Sequence, residues 1–408
     1  MPVHNPDQYM ASLRQIIAQG RKRLGILVGA GGPAGVKVNR ATGKLDPKGE
    51  SLLPTVDGLT MSVLGSLEND FGAVLKQVKA DLKTENPNEN LNIEAILSRI
   101  RSLALVLGTN PICELDGAGY KSLAEQICKK IGEVVNVPLP SEQNPFGELV
   151  GWIGGVARDH PIEIFTPNYD LLFEEAFERA QIPYFDGFVG SHEAFFDSSS
   201  VASDDLPPRW ARLWKLHGSL GWDENSRGEC IRTGRRDSTN MIFPDHLKYD
   251  QIQKLPFSAF LDRLKQFLMR PDTLLIVVGF SFSDFHITAR IAECLIANPS
   301  ASVFAFQFRT LAEEAKACAL ARQRTNLSVY ARDGAVINGI DGAWRPGDPP
   351  SREWATIRAT YWDRPENPKS EKDPAEFTLG RFAALTRFFA LSKALEPLLS
   401  TPTLGETA

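Results

Sequence analysis

Four short stretches of this chain set polar side chains directly after apolar runs, and each could do chemistry. The sharpest is Trp214-Lys215-Leu216-His217-Gly218-Ser219. A histidine that ends an apolar run and precedes Gly-Ser is well placed to face a cleft. Its imidazole titrates near neutrality and can accept a hydroxyl proton. The plainer reading is a partly buried histidine that only supports the fold. Thr166-Pro167-Asn168-Tyr169-Asp170 ends a second apolar run. Asn168 offers a neutral amide that can hold a water or a ribose hydroxyl. Asp170 is suited to cap a following helix, and an Asn after Pro also occurs in ordinary turns. The third stretch is Gly29-Ala30-Gly31-Gly32, right after Leu24-Gly25-Ile26-Leu27-Val28. Glycines there let the backbone turn tightly and let N–H groups approach a pyrophosphate. The pattern falls short of G-x-G-x-x-G and fits a simple tight turn as well. The fourth is Val278-Gly279-Phe280-Ser281-Phe282-Ser283-Asp284. Gly279 permits close ligand approach, Ser281 or Ser283 can bond a ribose or phosphate, and Ser283 or Asp284 can cap the next helix.

These stretches need a scaffold, and the pattern around them supplies one. Residues 7–19 place Met10, Leu13, Ile16 and Ile17 on one helical face. The apolar run at 24–28 reads as a buried parallel strand. Residues 36–51 are polar and turn-rich, an insertion or lid. Helical periodicity then runs through 61–82, 91–107 and 120–134, a helical module inserted at about 60–160. From Ile162 onward strand-like runs alternate with helical ones, which implies βαβ units and a parallel sheet. The expected fold is therefore α/β, a Rossmann-like parallel sheet with helices on both faces, plus the inserted helical module and a C-terminal helical segment. Residues 1–335 form the expected catalytic domain. Residues 336–408 form a linker, rich in Pro, Gly, Trp and charge over 339–370, and a helical segment at 382–399. Phe382, Leu385, Phe388, Phe389, Leu391, Leu395 and Leu398 make that segment apolar. It is expected to serve assembly, the alternative being that it covers its own domain.

Composition narrows the function classes. The chain has 408 residues, is 43% hydrophobic and 23% charged, and carries a net charge of −5 at pH 7. That charge argues against a broadly basic surface, so direct nucleic-acid binding is not expected. No charge-free apolar run reaches the length of a membrane span. No basic and apolar leader is evident at the start, and the expected location is cytoplasmic. The five cysteines, Cys113, Cys128, Cys230, Cys294 and Cys318, are scattered, with no C-x-x-C pair. Neither a disulfide scaffold nor a structural zinc site is expected.

Taken in order, the glycine loop, T-P-N-Y-D, K-L-H-G-S and G-F-S-F-S-D resemble the sirtuin superfamily, particularly its bacterial sirtuin-like NADase branch. The resemblance covers roughly residues 24–330. Asn92-Ile93-Glu94 with Ile96-Leu97, and Ile242-Phe243-Pro244 with Lys248-Tyr249, also look like that branch. Three features depart from the superfamily pattern. Pro33 stands where a serine usually follows the glycine loop, which removes one N–H. Leu53-Pro54 with Asp57 is only a loose counterpart of the Ile-Pro-Asp segment of deacylating sirtuins. The paired C-x-x-C zinc module of those deacylases is absent.

The resemblance implies NAD⁺ as substrate and cleavage of its nicotinamide–ribose bond. Asn168 would orient the attacking water or a ribose hydroxyl, and His217 would take a ribose hydroxyl proton. Asp170 would support the Asn168 loop. The implied binding set is Gly29, Ala30, Gly31, Gly32, Thr166, Pro167, Gly279, Ser281, Ser283 and Asp284. Nicotinamide leaves as a neutral molecule, so the site must chiefly stabilise an oxocarbenium-like ribose. The resemblance further implies a role in anti-phage defence by NAD⁺ depletion, held in check by self-assembly or by a partner such as a hexameric DNA-translocase ATPase. Two rival expectations remain: an NAD-dependent protein deacylase, and a non-catalytic module that senses NAD⁺ or ADP-ribose.

Overall fold

The computed structural model describes residues 2–85, 91–234, 236, 255–347, 352–364 and 375–393. Its centre is a ten-stranded sheet, whose strands are numbered here in chain order: β1 Val3–His4, β2 Arg23–Val28, β3 Glu163–Thr166, β4 Tyr184–Phe185, β5 Ala211–Lys215, β6 Thr273–Val278, β7 Ser302–Phe306, β8 Leu327–Tyr330, β9 Gly334–Ile337 and β10 Ile340–Trp344. Across the sheet the order is β1-β10-β9-β8-β7-β6-β2-β3-β5-β4. The run from β8 to β4 is parallel throughout. β9 and β10 extend it as an antiparallel hairpin, and β1 closes the edge.

The central strands are buried on both faces, which explains their unbroken apolar sequences. Alternation assigns each residue to a face. Ile26, Val28, Ile164, Leu213, Leu274 and Ile276 point into one apolar cluster, while Leu27, Phe165, Trp214, Leu275 and Val277 point into another. The first cluster includes the Pro6–Ala18 helix, the helical module, and the Pro145–Gly154, Leu172–Arg179 and Phe382–Lys393 helices. The second includes the helices Phe257–Met269, Phe285–Ala297 and Ala315–Gln323. The result is the expected α/β sandwich, helices on both sides of a mostly parallel sheet.

Three local expectations change. Residues 61–82 are not one helix: Val56–Ser66 ends at Leu67, and Glu68–Glu85 starts anew. The polar stretch 36–51 holds a small antiparallel pair, Lys37–Val38 with Glu50–Ser51. The expected linker from residue 339 is partly regular, since β10 and the Arg352–Tyr361 helix lie within it. The cause is the Asn338-Gly339 turn between β9 and β10. Both residues have positive φ, 52° and 77°, the conformation that a two-residue hairpin loop needs.

The apolar C-terminal stretch is buried within its own chain. Phe382, Leu385, Phe388 and Phe389 are at most 1% exposed. Phe382 packs edge-on to Phe146 at 5.0 Å, and Phe389 stacks on Trp152 at 4.7 Å. The apolar face behind the assembly expectation is thus occupied by the Pro145–Gly154 helix. Leu395 and Leu398 lie outside the described residues, as do Ile242-Phe243-Pro244 and Lys248-Tyr249. Among the described residues, no helix is long and apolar enough to cross a membrane.

Candidate functional site

The four motifs converge because their strands end at one level. Val28 pairs with Val278, Leu27 with Phe165, and Thr166 with Lys215. The loops that follow β6, β2, β3 and β5 therefore emerge side by side at the carboxyl edge of the parallel sheet. The chain reverses its direction of winding between β2 and β6, with β3 on one side of β2 and β6 on the other. Open α/β sheets form their ligand crevices at such a place.

The glycines in two of these loops let the backbones touch. Gly31 N donates to Gly279 O at 2.9 Å, and Gly29 N donates to Val278 O at 3.0 Å. A Cβ on Gly29 would strike Gly279, and one on Gly31 would lie 2.7 Å from Gly279 Cα. Gly279 itself adopts φ +65°, which disfavours any side chain. Gly32 N donates within the loop to Gly29 O at 2.9 Å. Three of the expected phosphate donors are thus engaged inside the protein, and Pro33 has no N–H. The glycine loop acts first as a close-packing device, and its amides offer less to an anion than its composition suggests.

Asn168 stands over this contact, half-buried. Its Nδ2 donates to Gly29 O at 3.2 Å, and its backbone N donates to Thr166 Oγ1 at 3.1 Å. The Thr166 hydroxyl donates to Val28 O at 2.8 Å, so this buried threonine ties β3 to β2. Asp170 is buried, and its Oδ1 accepts from Leu172 N at 3.1 Å just before the next helix, whose N-cap, Leu171, provides no side-chain cap. Burial raises its carboxyl above the usual range, against the pull of Lys215. Lys215, also buried, donates to Asp170 O and pairs with Glu174 at 3.3 Å. Lys215 thus ties the backbone of the loop that carries Asn168 and Asp170 to Glu174 of the next helix. Ser281 and Ser283 are exposed, and Ser283 Oγ accepts from Lys316 at 3.3 Å.

His217 is 4% exposed and lies between two carboxylates. Nε2 meets Asp284 Oδ2 at 3.0 Å, and Nδ1 meets Glu94 Oε1 at 3.5 Å. Asp284 does two jobs, because its Oδ1 also accepts from Ile287 N at 2.8 Å as the N-cap of the Phe285–Ala297 helix. Burial alone would lower the imidazole pKa. Asp284 first, then Glu94, outweigh that and raise it to about 10. The same attraction, working against burial, lowers Asp284 to about 2. The two carboxylates thus favour the protonated ring, which works against its use as a proton acceptor.

Glu94 is the residue whose place at the site sequence reasoning missed. It comes from the inserted module, in the first turn of the Ile93–Val106 helix, whose N-cap is Asn92. The only trace of it in the sequence was the Asn92-Ile93-Glu94 resemblance. Together Glu94, His217 and Asp284 place one ligand atom each within 4.8 Å of one another. The two carboxylates and the imidazolium leave a net negative charge in the crevice.

Residues 162–330 match the SIR2-like domain, which supports membership of the sirtuin superfamily. Members of that family are NAD-dependent enzymes, and the domain implies use of NAD⁺. The matched span holds Asn168, His217 and the Gly279–Asp284 loop but neither the first glycine loop nor Glu94. No curated protein matches the chain.

Proposed function

We propose that this protein is an NAD⁺ hydrolase that cleaves the nicotinamide–ribose bond and releases ADP-ribose and nicotinamide. The carrying observation is the charged trio, tied through Tyr169 to the loop that holds Asn168, at the carboxyl edge of a SIR2-like sheet. Cleavage builds positive charge on the ribose. A buried site with two carboxylates against one imidazolium provides fixed negative potential where that charge develops. His217, held protonated, faces Asp284 and Glu94 with its two ring nitrogens and fixes their position, and the proton that the attacking water gives up passes to the carboxylate side of this cluster. Asn168 presents its amide oxygen to the attacking water while its Nδ2 stays on Gly29 O. Water is the acceptor.

Depletion of NAD⁺ fits a role in anti-phage defence. An NADase that is always active would be toxic to its own cell, so restraint by self-assembly or by a partner in trans, such as a hexameric DNA-translocase ATPase, belongs to the same proposal. The test is incubation of the full chain with NAD⁺, alone and with candidate partners, followed by chromatography. The expected products are nicotinamide and ADP-ribose without any acylated peptide, and Asn168→Ala and His217→Ala each abolish them. Strict dependence on an acetyl-lysine peptide would replace hydrolysis with deacylation. Binding of NAD⁺ with no turnover under any condition would leave a sensing module.

A further inference from the structure

We infer that Glu94, supplied by the helical module rather than by the nucleotide-binding sheet, is a positioning residue that fixes the His217 ring for NAD⁺ cleavage. The inference rests on the hydrolase reading of the site and adds a second source of its geometry. The ring has two nitrogens and a carboxylate facing each: Asp284 lies at 3.0 Å from Nε2, and Glu94 lies at 3.5 Å from Nδ1, a buried nitrogen that makes no hydrogen bond among the described residues. Asp284 holds Nε2 from the N-cap of a helix in the Rossmann-like core, and Glu94 faces Nδ1 from the first turn of a helix in the module. With one anchor an imidazole can still pivot about its bond to the backbone. A second carboxylate facing the other nitrogen narrows that range.

Glu94 is itself held. Asn92 caps its helix through Ala95 N at 2.9 Å, and buried Ile93 donates its N–H to Thr60 Oγ1 at 2.9 Å. The Tyr169 hydroxyl donates to Glu94 Oε1 at 3.0 Å. That oxygen therefore faces the histidine of one motif and the tyrosine that follows Asn168 in another. Leu220 N donates to Tyr169 O at 2.9 Å, which joins the same two loops through the backbone. A carboxylate in the first turn of a helix is also favoured by the helix dipole. Nothing in the Ile93–Val106 helix itself needs this carboxylate, since Asn92 already caps it. The module is thereby coupled to the site, and undocking it removes one of the two carboxylates that face His217.

Groups around the ring on every packed element are Glu94 and Asp284 in contact, Tyr169 behind Glu94, Cys128 near Tyr169, and His286 near Asp284. Glu94→Gln keeps the shape and an acceptor for Tyr169 but removes the charge. In the full chain, NMR of labelled histidine should show the His217 ring titrating at lower pH in Glu94→Gln than in the native protein, by about one unit. Turnover of NAD⁺ should fall on the order of ten-fold in kcat with KM little changed. Glu94→Asp should recover part of both. An unchanged His217 titration overturns the inference, and so does an unchanged kcat and pH profile in an active enzyme. If the native chain cleaves no NAD⁺, the hydrolase reading fails, and the ring titration alone then decides whether Glu94 governs His217.

Discussion

At the scale of single residues, the site shows how environment overrides the ordinary behaviour of a side chain. A histidine after an apolar strand suggests a base, but a ring flanked by two carboxylates stays protonated. His217 and Asn168 were legible because each ends a strand-like run with Gly or Pro beside it. Asp284 was legible as a cap and, through the resemblance, as a binding residue, but nothing in its neighbourhood announces that its second oxygen reaches the His217 ring. The pairing has a consequence for stability. The native pKa of His217 is raised from 6.5 to about 10. Below the lower value both folded and unfolded states hold the proton, and the stabilisation is complete. As pH rises, the unfolded chain loses its proton first, so the native state binds more protons and stability falls through the upper value. Asp284, lowered from 3.8 to about 2, works the other way: its contribution is present above the first value and lost as pH falls through the second. Urea midpoints of the native protein and His217→Gln should therefore differ most near pH 6 and converge toward pH 10. A gap that stays constant across that range would show that the ion pairs do not couple to folding.

At the scale of elements, the parallel strands were readable from unbroken apolar runs, and the Rossmann-like class followed. Boundaries were less so. The break at Leu67 has only the isolated Gly65 beside it, which a helical pattern tolerates, so periodicity ran straight across it. The β9–β10 hairpin was hidden by a composition that reads as a linker, although Asn338-Gly339 is a strong two-residue turn signal. Motif glycines were read as a tight turn or as phosphate contacts, and the structure sets them where two loops meet backbone to backbone. Substitution separates those readings. Gly279→Ala meets both a left-handed backbone, φ +65°, and the backbone of Gly31 and Gly32. It should destabilise by at least about 1–3 kcal/mol, and it should lower NAD⁺ turnover by moving the loop that leads to Asp284. Gly151→Ala, inside a helix with nothing within 4 Å of the added carbon, should be neutral or stabilise by about 0.5–1 kcal/mol. Equal effects in chemical denaturation would remove the packing argument.

At the scale of the whole molecule, the sheet divides two cores, and the C-terminal helix belongs to one of them. Sequence alone left two uses for its apolar residues, assembly or self-covering, because an apolar helix looks the same against its own domain as against a partner. The geometry shows the self-covering part, in Phe382, Leu385, Phe388 and Phe389. Phe388 is fully buried and meets Tyr361 edge-on at 6.1 Å, while Tyr361 donates to Asp7 Oδ1 at 2.6 Å. The helix therefore seals a region where the Pro6–Ala18 helix, the Arg352–Tyr361 helix and the module side of the sheet meet. Deleting a buried phenyl ring costs about 3–5 kcal/mol through lost contacts and the cavity left behind. Phe388→Ala should accordingly lower the thermal and urea midpoints substantially while the soluble fraction keeps its native size in light scattering. Truncation before Phe382 should leave protein that is poorly soluble or lacks a cooperative unfolding transition, since it uncovers Phe146 and Trp152 together. Native stability in Phe388→Ala combined with a smaller particle would show the opposite: that the helix is an interface, and that restraint of the site passes through assembly of this segment.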